Sequence, residues 1–540
     1  MKLPSAARLQ RIEYLTATLF TLILVALHLL ALVSAGPLWR DEISSLTLAT
    51  KSTWGDVWRT LVYDPFPALF FTTLRVWHGV FGGSDFALRC LGFVIGLLCL
   101  AGVWVGAHWM KRRPPLLALA LLGLSPTLIV WGDSLRAYGL AVLCIIIAFA
   151  GFWAVLNRPT PLVVFGATAA AVLAAQAIFT NAPLLFACGI AAAIIAVRRG
   201  HWKRALLVIT IGVVAALTLF PYLGVLRATN DWAEIRKVPL PVSAHLGVLR
   251  DALLNGGAAS YWLWIALTAI AVFVAILSNL RGLWPETGDM RLYALIAAAI
   301  GFGTTIIFFQ RLQWPSNIWY YLPMLGLVAI AIDVILDFGA LGWGIAGRIL
   351  IAIVCLLSSI TLVVARAQVR ASNLDVIAAT LEKHAGPNDL IVVYPFVDGI
   401  TFNRYYHGTT PWVTIPKIGD LSLHRWDLLM QQARQENAIA PVLDQIDTTL
   451  RDGHQVWIAT TFPLVVPAGP ASPVLPLQDS QPRRIGYFLG GWRDQLMANL
   501  RDHAERSGPI AVPLEQSVSR YERSRLVVFS GWKNAAGESR

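Results

Sequence analysis

Long apolar stretches, separated by short polar connections, repeat along the first two thirds of this 540-residue chain. A transmembrane helix needs about 20 consecutive apolar residues, which is longer than the strands and most helices of a soluble domain. By this criterion the pattern predicts eleven membrane-spanning segments. They lie at about 14–35, 86–109, 115–131, 137–156, 161–180, 183–197, 205–225, 259–279, 292–309, 319–336 and 347–365.

The pattern changes after residue 366. The long apolar runs stop, and short strand-like runs alternate with helix-like stretches. The strand-like runs are IVVYPF (391–396), HQVWIAT (454–460) and RLVVFS (525–530), and the helix-like stretches lie at 373–390 and around 424–452. This alternation is typical of a soluble α/β domain.

The sequence therefore predicts two domains. The first is a transmembrane domain at 1–366, with long outer loops at 36–85 and 226–258. The second is a soluble extracytoplasmic α/β domain at 367–540.

The composition supports a polytopic α-helical membrane protein. The chain is 56% hydrophobic and 14% charged, whereas an ordinary soluble domain is about 25% charged. The net charge of +12 is dispersed in short clusters between apolar runs, so membrane topology explains it better than a nucleic-acid partner does, and we predict no such partner. The five cysteines lie inside apolar runs without metal-ligand spacing, and we expect them to be packing residues.

The basic residues also predict an orientation. They are concentrated in alternate short connections, such as MKRRPP (110–115) and RRGHWKR (198–204), while the connections between hold mainly Arg136 and Arg311. Cytoplasmic loops carry the excess of Lys and Arg in membrane proteins. We therefore expect a plasma (inner) membrane protein with a cytoplasmic amino terminus. An odd number of spans then places the C-terminal domain in the periplasm or outside the cell.

Polar and aromatic residues collect in the predicted outer connections. The first carries WRDEISS, where Asp41 and Glu42 follow the first span directly. These acids either begin an amphipathic helix over 43–61, where the helix dipole favours negative charge, or belong to a polar pocket. The other motifs on this side are YDPFPALFF (63–71), FALRCLG (86–92), SPTLIVWGDSLRAYGL (125–140) and QRLQWPSNIWYYLPMLGL (310–327). Because all these motifs are predicted to lie on the same side of the membrane, we favour the polar pocket over the helix start for Asp41 and Glu42.

In order and spacing these motifs resemble the GT-C superfamily of integral-membrane glycosyltransferases. The branch is the one that contains protein O-mannosyltransferases, lipid A aminoarabinose transferase and related bacterial polyprenyl-phosphate-sugar transferases. The first 140 residues carry the resemblance best, through WRDEISSLTLA, DPFPALFF, ALR and SP…GDSLRAYGL. Two positions depart from it. Phe66 stands where relatives often have His. Before Arg136, many relatives have a Gln-Glu or Glu pair, whereas here the acidic residue is Asp133, three positions earlier.

The resemblance implies an inverting-type transfer of a sugar from a polyprenyl-phosphate donor to a hydroxyl group. The acceptor would be a glycolipid, lipopolysaccharide, polysaccharide or protein of the envelope, reached among the membrane lipids at the outer face. Such a transfer needs a carboxylate to take the acceptor proton and cations to hold the departing phosphate. By resemblance Asp41 is the catalytic base, with Glu42 as the second candidate.

Other residues are candidates for binding the donor phosphate or substrate. They are Asp133, Arg136, Tyr138, Arg236, Lys237, Arg311, Tyr320 and Tyr321. Asp133 and Arg136 would share a helix face if the fourth span begins there, either as part of the site or as an interfacial ion pair. The tyrosines also suit membrane anchoring, and the segment 230–237 is either a lid or a solvated loop.

No cofactor is predicted to be required. Asp41, Glu42 and Asp133 offer oxygen ligands for a divalent cation, without the spacing of a zinc site. The alternative function is a membrane transporter or flippase for a lipid-linked glycan. In the tail, FNRYYHG (402–408) is either a core helix or a stacking surface for glycans.

Overall fold

A computed structural model describes residues 6–280, 285–338, 341–465, 469–478 and 483–533. The helices, in chain order, are α1 (Ala6–Ser34), α2 (Arg40–Ala49), α3 (Trp54–Thr60), α4 (Ala68–Phe81), α5 (Asp85–Trp109), α6 (Leu116–Ala118), α7 (Tyr138–Asn157), α8 (Pro161–Ala177), α9 (Asn181–Arg198), α10 (Trp202–Leu217), α11 (Leu223–Ala228), α12 (Asn230–Ala233), α13 (Val242–Leu254), α14 (Ala258–Leu280), α15 (Pro285–Leu312), α16 (Leu322–Ile335), α17 (Gly342–Ala367), α18 (Leu374–His384), α19 (Asp398–Tyr405), α20 (Trp426–Ala433), α21 (Ala440–Arg451) and α22 (Ile485–His503). The strands are β1 (Leu390–Tyr394), β2 (Trp412–Thr414), β3 (Val456–Thr460), β4 (Ala504–Ile510) and β5 (Arg525–Trp532).

The chain forms two compact units, which are described separately. The helical unit contains the residues up to Ser34 together with Phe66–Leu223 and Pro239–Gln368. The mixed unit contains Ala35–Pro65, Gly224–Val238 and the residues from Val369 onward.

Nine helical stretches among the described residues are long and apolar enough to cross a membrane. Two of them, Trp202–Ala228 and Ile318–Ile335, reach this length by including a 3-10 turn next to α10 and α16, respectively. The nine stretches match nine of the eleven predicted segments and confirm a polytopic helical membrane protein. The other two segments differ from a full span. The helix α8 has 17 residues, and the segment at 115–131 is not one continuous helix.

The break in the segment at 115–131 has a local cause. Two short π-helical stretches, Leu119–Gly123 and Leu128–Gly132, are separated by a turn. The chain re-enters helix at Pro126, and proline prefers a first helical position because its missing N–H is not needed there. Apolar composition alone does not reveal this break.

Buried charges in the helical unit form a paired network. Arg348 lies 2.8 Å from Glu13 and 3.1 Å from Asp333, and all three side chains are at most 5% exposed. The Asp333 carboxylate also accepts the backbone N–H of Leu117 at 2.8 Å. Pairing of this kind offsets the desolvation of buried charges, so the network ties together four helices, α1, α6, α16 and α17.

The mixed unit is built around a five-stranded sheet of order β2-β1-β3-β5-β4. The strand β1 is parallel to β2 and β3, while β5 is antiparallel to β3 and β4. Every residue of β1 and β3 is buried, as expected for parallel strands covered on both faces. The core contains Leu374, Ile377 and Leu381 of α18, Phe402 of α19, and Ile391, Val393, Trp457 and Leu526 of the sheet. The predicted α/β domain is confirmed.

Several elements of this unit differ from the sequence prediction. The helical stretch around 424–452 is two helices, α20 and α21, and the strands β2 and β4 and the helix α22 were not predicted. Of the two alternatives for FNRYYHG, the structure favours a helix in the core over a stacking surface, because Tyr406 is 7% exposed and packs in the core.

The predicted amphipathic helix over 43–61 is likewise divided into α2 and α3. The Thr53 hydroxyl accepts the Asp56 backbone N–H at 3.1 Å, and the Asp56 carboxylate accepts the Thr53 N–H at 3.2 Å. This reciprocal pair is a capping box, which starts a new helix.

Two segments from the first two thirds of the chain belong to the mixed unit. Backbone hydrogen bonds hold them there: the N–H of Ala371 donates to the carbonyl of Ala35 at 2.8 Å, and the N–H of Ile485 donates to Ile235 at 2.9 Å. The predicted domain boundary at 366/367 and the orientation of the spans stay predictions.

Candidate active site

The acidic pair of the first outer motif lies in the first turn of α2. The Glu42 carboxylate accepts the backbone N–H of Trp39 at 3.1 Å, and its residue is fully buried. It therefore satisfies a backbone donor at the start of the helix. The Asp41 side chain is 22% exposed. The two adjacent acids have different environments, as expected for neighbours in a helix.

The Asp41 carboxylate is hydrogen-bonded to a histidine of the C-terminal region. His424 Nε2 lies 3.0 Å from Asp41 Oδ1. The imidazole is stacked on Trp426, with ring centroids 5.6 Å apart and an angle of 8° between the planes. The guanidinium carbon of Arg236 lies 4.2 Å from the centre of the same Trp426 ring. The mixed unit thus gathers Asp41 and Arg236, two predicted site residues, around His424 and Trp426.

Lys237 forms an ion pair, whereas its neighbour Arg236 contacts an aromatic ring. The Lys237 ammonium group is 2.6 Å from the Glu234 carboxylate, three residues earlier, and that acid is 58% exposed. An ion pair this exposed contributes little to stability.

Arg40, immediately before Asp41, forms a buried ionic cluster. Its Nη1 atom lies 3.1 Å from Asp398 Oδ1 and 3.3 Å from Glu522 Oε1, and both acids have fully buried side chains. Burial raises the pKa of Asp398 and, together with the charge of Asp398, that of Glu522, while Arg40 opposes both shifts. For Arg40, burial lowers the pKa, but the attraction of the carboxylates prevails and the net direction is upward. One cation thus faces two buried carboxyl groups.

The helical unit gathers another set of predicted residues. The guanidinium carbon of Arg136 lies 4.6 Å from the Phe66 ring centre and 6.0 Å from that of Tyr138. Tyr138, the first residue of α7, in turn contacts Trp319 and Tyr320, with centroids 6.3 and 5.9 Å apart. Phe66, at the position where relatives often carry His, therefore packs against the candidate arginine as a cation–π partner.

Two predicted residues near Tyr320 have other surroundings. Tyr321 is fully buried, and its hydroxyl lies 3.0 Å from Ser316 Oγ, which is 3.1 Å from His245 Nδ1. Arg311 is exposed in the last turn of α15. The first residue is bound into the protein interior, and the second is open to solvent or lipid.

The expected pairing of Asp133 with Arg136 along one helix face is wrong. The helix α7 begins at Tyr138, so residues 133–136 precede it and lack helical i,i+3 geometry. The Asp133 carboxylate instead lies 2.6 Å from Nδ1 of His28 in α1. Gly96 of α5 makes room for it, since a Cβ atom there would be 2.2 Å from Asp133 Oδ1.

Sequence reasoning missed His424, Trp426 and Arg40 as neighbours of the candidate site. His424 and Trp426 stand in LHRWD (423–427), more than 380 residues after Asp41, and no local pattern marks them. Arg40 is part of the quoted WRDE motif, but its partners Asp398 and Glu522 lie 358 and 482 residues later in the chain. Only the pairing of segments remote in the chain reveals these contacts.

Within the ranges that the structure describes, no group of three or more His, Cys, Asp or Glu side chains is arranged to hold a metal ion. In particular, Glu42 is directed to the Trp39 backbone and Asp133 to His28.

Comparison with solved structures finds proteins of similar fold. The chain is similar to ArnT, the lipid A aminoarabinose transferase, from Cupriavidus metallidurans, in a structure with bound undecaprenyl phosphate. The TM-score is 0.50 at 14% identity, covering 82% of this chain and 92% of ArnT, and the apo structure of ArnT gives the same values. The fold predicted from the motif resemblance is confirmed, and the chain is an integral membrane protein.

A further similarity is to the oligosaccharyltransferase of Archaeoglobus fulgidus, with a TM-score of 0.46 and 11% identity over 82% of this chain and 67% of that one. No protein-family model and no curated protein sequence matches the chain.

Proposed function

We propose that this protein is an inverting-type glycosyltransferase that moves a sugar from a polyprenyl-phosphate donor to a hydroxyl group of an envelope acceptor. The acceptor is a glycolipid, lipopolysaccharide, polysaccharide or protein, and transfer takes place at the outer face of the membrane that the chain spans. The bound undecaprenyl phosphate in the similar ArnT structure supports a donor of this lipid class.

The observation that carries the proposal is the position of Asp41. It is a partly exposed carboxylate at the start of α2, held by a hydrogen bond from His424, in a chain with the GT-C fold. The positive end of the helix dipole favours its ionised form, which is the form that accepts a proton. The neighbouring Glu42 caps the helix, and this supports Asp41 rather than Glu42 as the base.

The chemistry is a single displacement at the anomeric carbon. The acceptor oxygen forms a bond to that carbon while the bond to the phosphate oxygen breaks, and the polyprenyl phosphate leaves with the bonding electron pair. Asp41 takes the acceptor proton as the oxygen attacks. Since the acceptor enters on the face opposite the leaving group, the anomeric configuration inverts.

In the helical unit we assign the donor phosphate to Arg136, with Tyr138 and Tyr320 as neighbouring substrate contacts. A guanidinium packed on aromatic faces keeps its edge, where the N–H groups lie, suited to bidentate binding of phosphate oxygens. Arg311, Arg236 and Lys237 remain secondary candidates for this role. Asp133 is a weaker candidate, because its carboxylate is engaged by His28.

The distribution of Lys and Arg supports the orientation in this proposal. A reporter enzyme fused after Arg370 should behave as exported, while fusions at Arg112 or Gly200 should behave as cytoplasmic. A cytoplasmic signal from the Arg370 fusion would contradict the odd number of spans and the outer location of the reaction.

The activity is tested with the detergent-purified chain. Labelled sugar is supplied on polyprenyl phosphate together with extracted envelope glycans, and the transferred label and mass gain are measured for wild type and Asp41→Asn. We expect transfer by wild type and much slower transfer by Asp41→Asn, and an EDTA arm reports whether a divalent cation takes part. Transport of the lipid-linked glycan across vesicles without any covalent transfer would instead support the flippase alternative.

A further inference from the structure

The hydrogen bond between Asp41 and His424 has a defined direction. A carboxylate only accepts hydrogen bonds, so the hydrogen of this 3.0 Å contact is carried by His424 Nε2. The other ring nitrogen, Nδ1, is buried and has no hydrogen-bond partner among the described residues. The neutral Nε2–H tautomer leaves only an acceptor unsatisfied there, whereas an imidazolium would bury an unpaired N–H donor.

The backbone on either side of His424 is fixed by its neighbour Arg425. The guanidinium of Arg425 donates two hydrogen bonds to Asp427, at 2.9 and 2.7 Å, and one to Asp420 at 2.7 Å. It also lies 4.8 Å from the ring centre of Tyr63, and Tyr63 donates to Asp427 at 3.3 Å. Burial opposes ionisation of Asp427, but its hydrogen bonds from Arg425 lower its pKa below the usual range. The pair of Arg425 and Asp427, which forms a clamp on the backbone around His424, is therefore charged at neutral pH.

The imidazole ring is fixed separately by stacking. One face lies parallel to Trp426, whose indole is 7% exposed and packs edge-on against Phe396 with centroids 5.6 Å apart. Arg236 contacts the Trp426 ring as a cation. A ring held by a backbone clamp and a buried stack has little rotational freedom, so its N–H keeps one direction.

We propose that His424 is a positioning residue for the Asp41 carboxylate, through which the C-terminal α/β domain takes part in sugar transfer. The N–H of His424 holds Asp41 Oδ1 and thereby fixes the rotation of the carboxylate toward the acceptor hydroxyl. This inference rests on the proposed role of Asp41 as base. It gives the C-terminal domain a direct part in the reaction, and it gives Arg236 a supporting part through Trp426.

Two substitutions separate the hydrogen bond from the stack. His424→Phe keeps a flat ring for Trp426 and removes the donor, while His424→Gln keeps an N–H donor at a similar reach and removes the ring. The measurement is kcat and KM for the polyprenyl-phosphate sugar and for the acceptor. We expect His424→Phe to lower kcat by about 10–100-fold, the range for loss of a supporting hydrogen bond, with KM little changed. We expect His424→Gln to keep most of the wild-type kcat.

The chain offers a matched control in the same unit. His503 Nδ1 lies 2.9 Å from Asp447 Oδ1, and its ring packs on Trp532 with centroids 4.8 Å apart. His503→Phe therefore removes the same kind of His–Asp hydrogen bond beside the same kind of aromatic contact. It should leave kcat unchanged, so any general effect of such a replacement on folding is measured by this variant.

A double substitution tests whether His424 acts through Asp41. In the Asp41→Asn background, His424→Phe should cause no further loss of the residual kcat, because the group that it orients is no longer a base. An equal loss in both backgrounds, a normal kcat for His424→Phe, or a His424→Gln enzyme as slow as His424→Phe would each overturn the inference. A fully active Asp41→Asn enzyme would instead remove the proposed base itself, so the two failures are distinguishable.

Discussion

Arg40 and Asp41 are consecutive in the chain, yet they belong to regions with opposite character. Arg40 faces two carboxyl groups, Asp398 and Glu522, whose side chains are fully buried. Asp41 is 22% exposed and receives a hydrogen bond from the stacked His424. In the first region the charged groups are paired with each other in the protein interior. In the second, the Asp41 carboxylate is hydrogen-bonded to His424 and remains partly exposed.

This difference indicates how one short motif serves two purposes. Removing one partner of a buried ion pair is expensive because it strands the other charge, so the Arg40 cluster is suited to holding the mixed unit together. A partly exposed carboxylate has less desolvation to offset and can meet a substrate. The WRDE motif thus couples an anchoring residue to a candidate reactive one.

The largest effect that this comparison predicts is on turnover. Asp41→Asn keeps the size and much of the hydrogen bonding but removes the proton acceptor, so kcat should fall by about 10²–10⁴-fold. The melting temperature should stay near that of wild type. The matched variant Glu42→Gln alters a helix cap and should change stability by about 1 kcal/mol or less while transfer continues. If Glu42→Gln alone were inactive, the role of base would pass to Glu42.

The next effect is on stability and concerns the enclosed region. Arg40→Met should reduce the free energy of unfolding of the mixed unit by about 3–5 kcal/mol, since it leaves Asp398 and Glu522 without their cation. Guanidinium unfolding followed by circular dichroism measures the loss. Arg59→Met is a suitable control, because that arginine is 75% exposed in its ion pair with Asp56. An equally small effect of both changes would show that the Arg40 cluster is not an anchor.

Arg136 is packed against aromatic rings, whereas Arg40 faces two buried carboxyl groups. If it holds the donor phosphate, Arg136→Ala should raise the barrier to transfer by about 2–4 kcal/mol, the scale of losing one preorganised donor. Arg136→Lys should recover only part of this loss because bidentate geometry is missing. The transfer rate is measured as a function of donor concentration for Arg136→Ala, Arg136→Lys and Arg311→Ala. Arg250→Ala serves as a control, because Arg250 is exposed in the same unit. Unchanged donor dependence would remove Arg136 from the site.

The smallest predicted effect is a pH dependence of stability. Burial and the charge of Asp398 raise the pKa of Glu522 above its ordinary value, so in the window above that ordinary value the native state binds more protons than the unfolded state. Stability should therefore fall as the pH rises through this window. Glu522→Gln carries no titrating proton and should flatten the slope of melting temperature between pH 5 and 8. An unchanged slope would mean that Glu522 is ionised in the native protein throughout.

Much of the fold could be predicted from local patterns. Nine of the predicted spans and the α/β character of the tail follow from runs of apolar residues, and the helix start near Asp41 and Glu42 was one of the two alternatives left open for that acidic pair. The errors arise where a local pattern has two structural outcomes. The segment at 115–131 is apolar enough for a span yet is broken before Pro126, and residues 133–136 carry a helical spacing but precede the helix.

The candidate site could be predicted only in part. Asp41 and Arg136 are recognisable because their motifs are contiguous and follow the pattern of a known superfamily. His424, Asp398 and Glu522 are not, because each contacts a residue more than 350 positions away, and Trp426 is not, because it contacts Arg236 from a distant segment. Phe66 could be noted as a departure from the pattern, but its packing against Arg136 was visible only in the folded unit.

The sequence by itself therefore determined that this is a polytopic membrane protein with an α/β region, and it marked the motifs to which we assign the chemistry. These properties depend on hydrophobic periodicity and on neighbours within a few residues. The tertiary structure alone decided which acid caps a helix, which is hydrogen-bonded to a histidine, and which arginine faces two buried carboxyl groups. Burial and hydrogen-bond geometry are set by contacts between remote segments, and it is those contacts that distinguish Asp41 from the residues on either side of it.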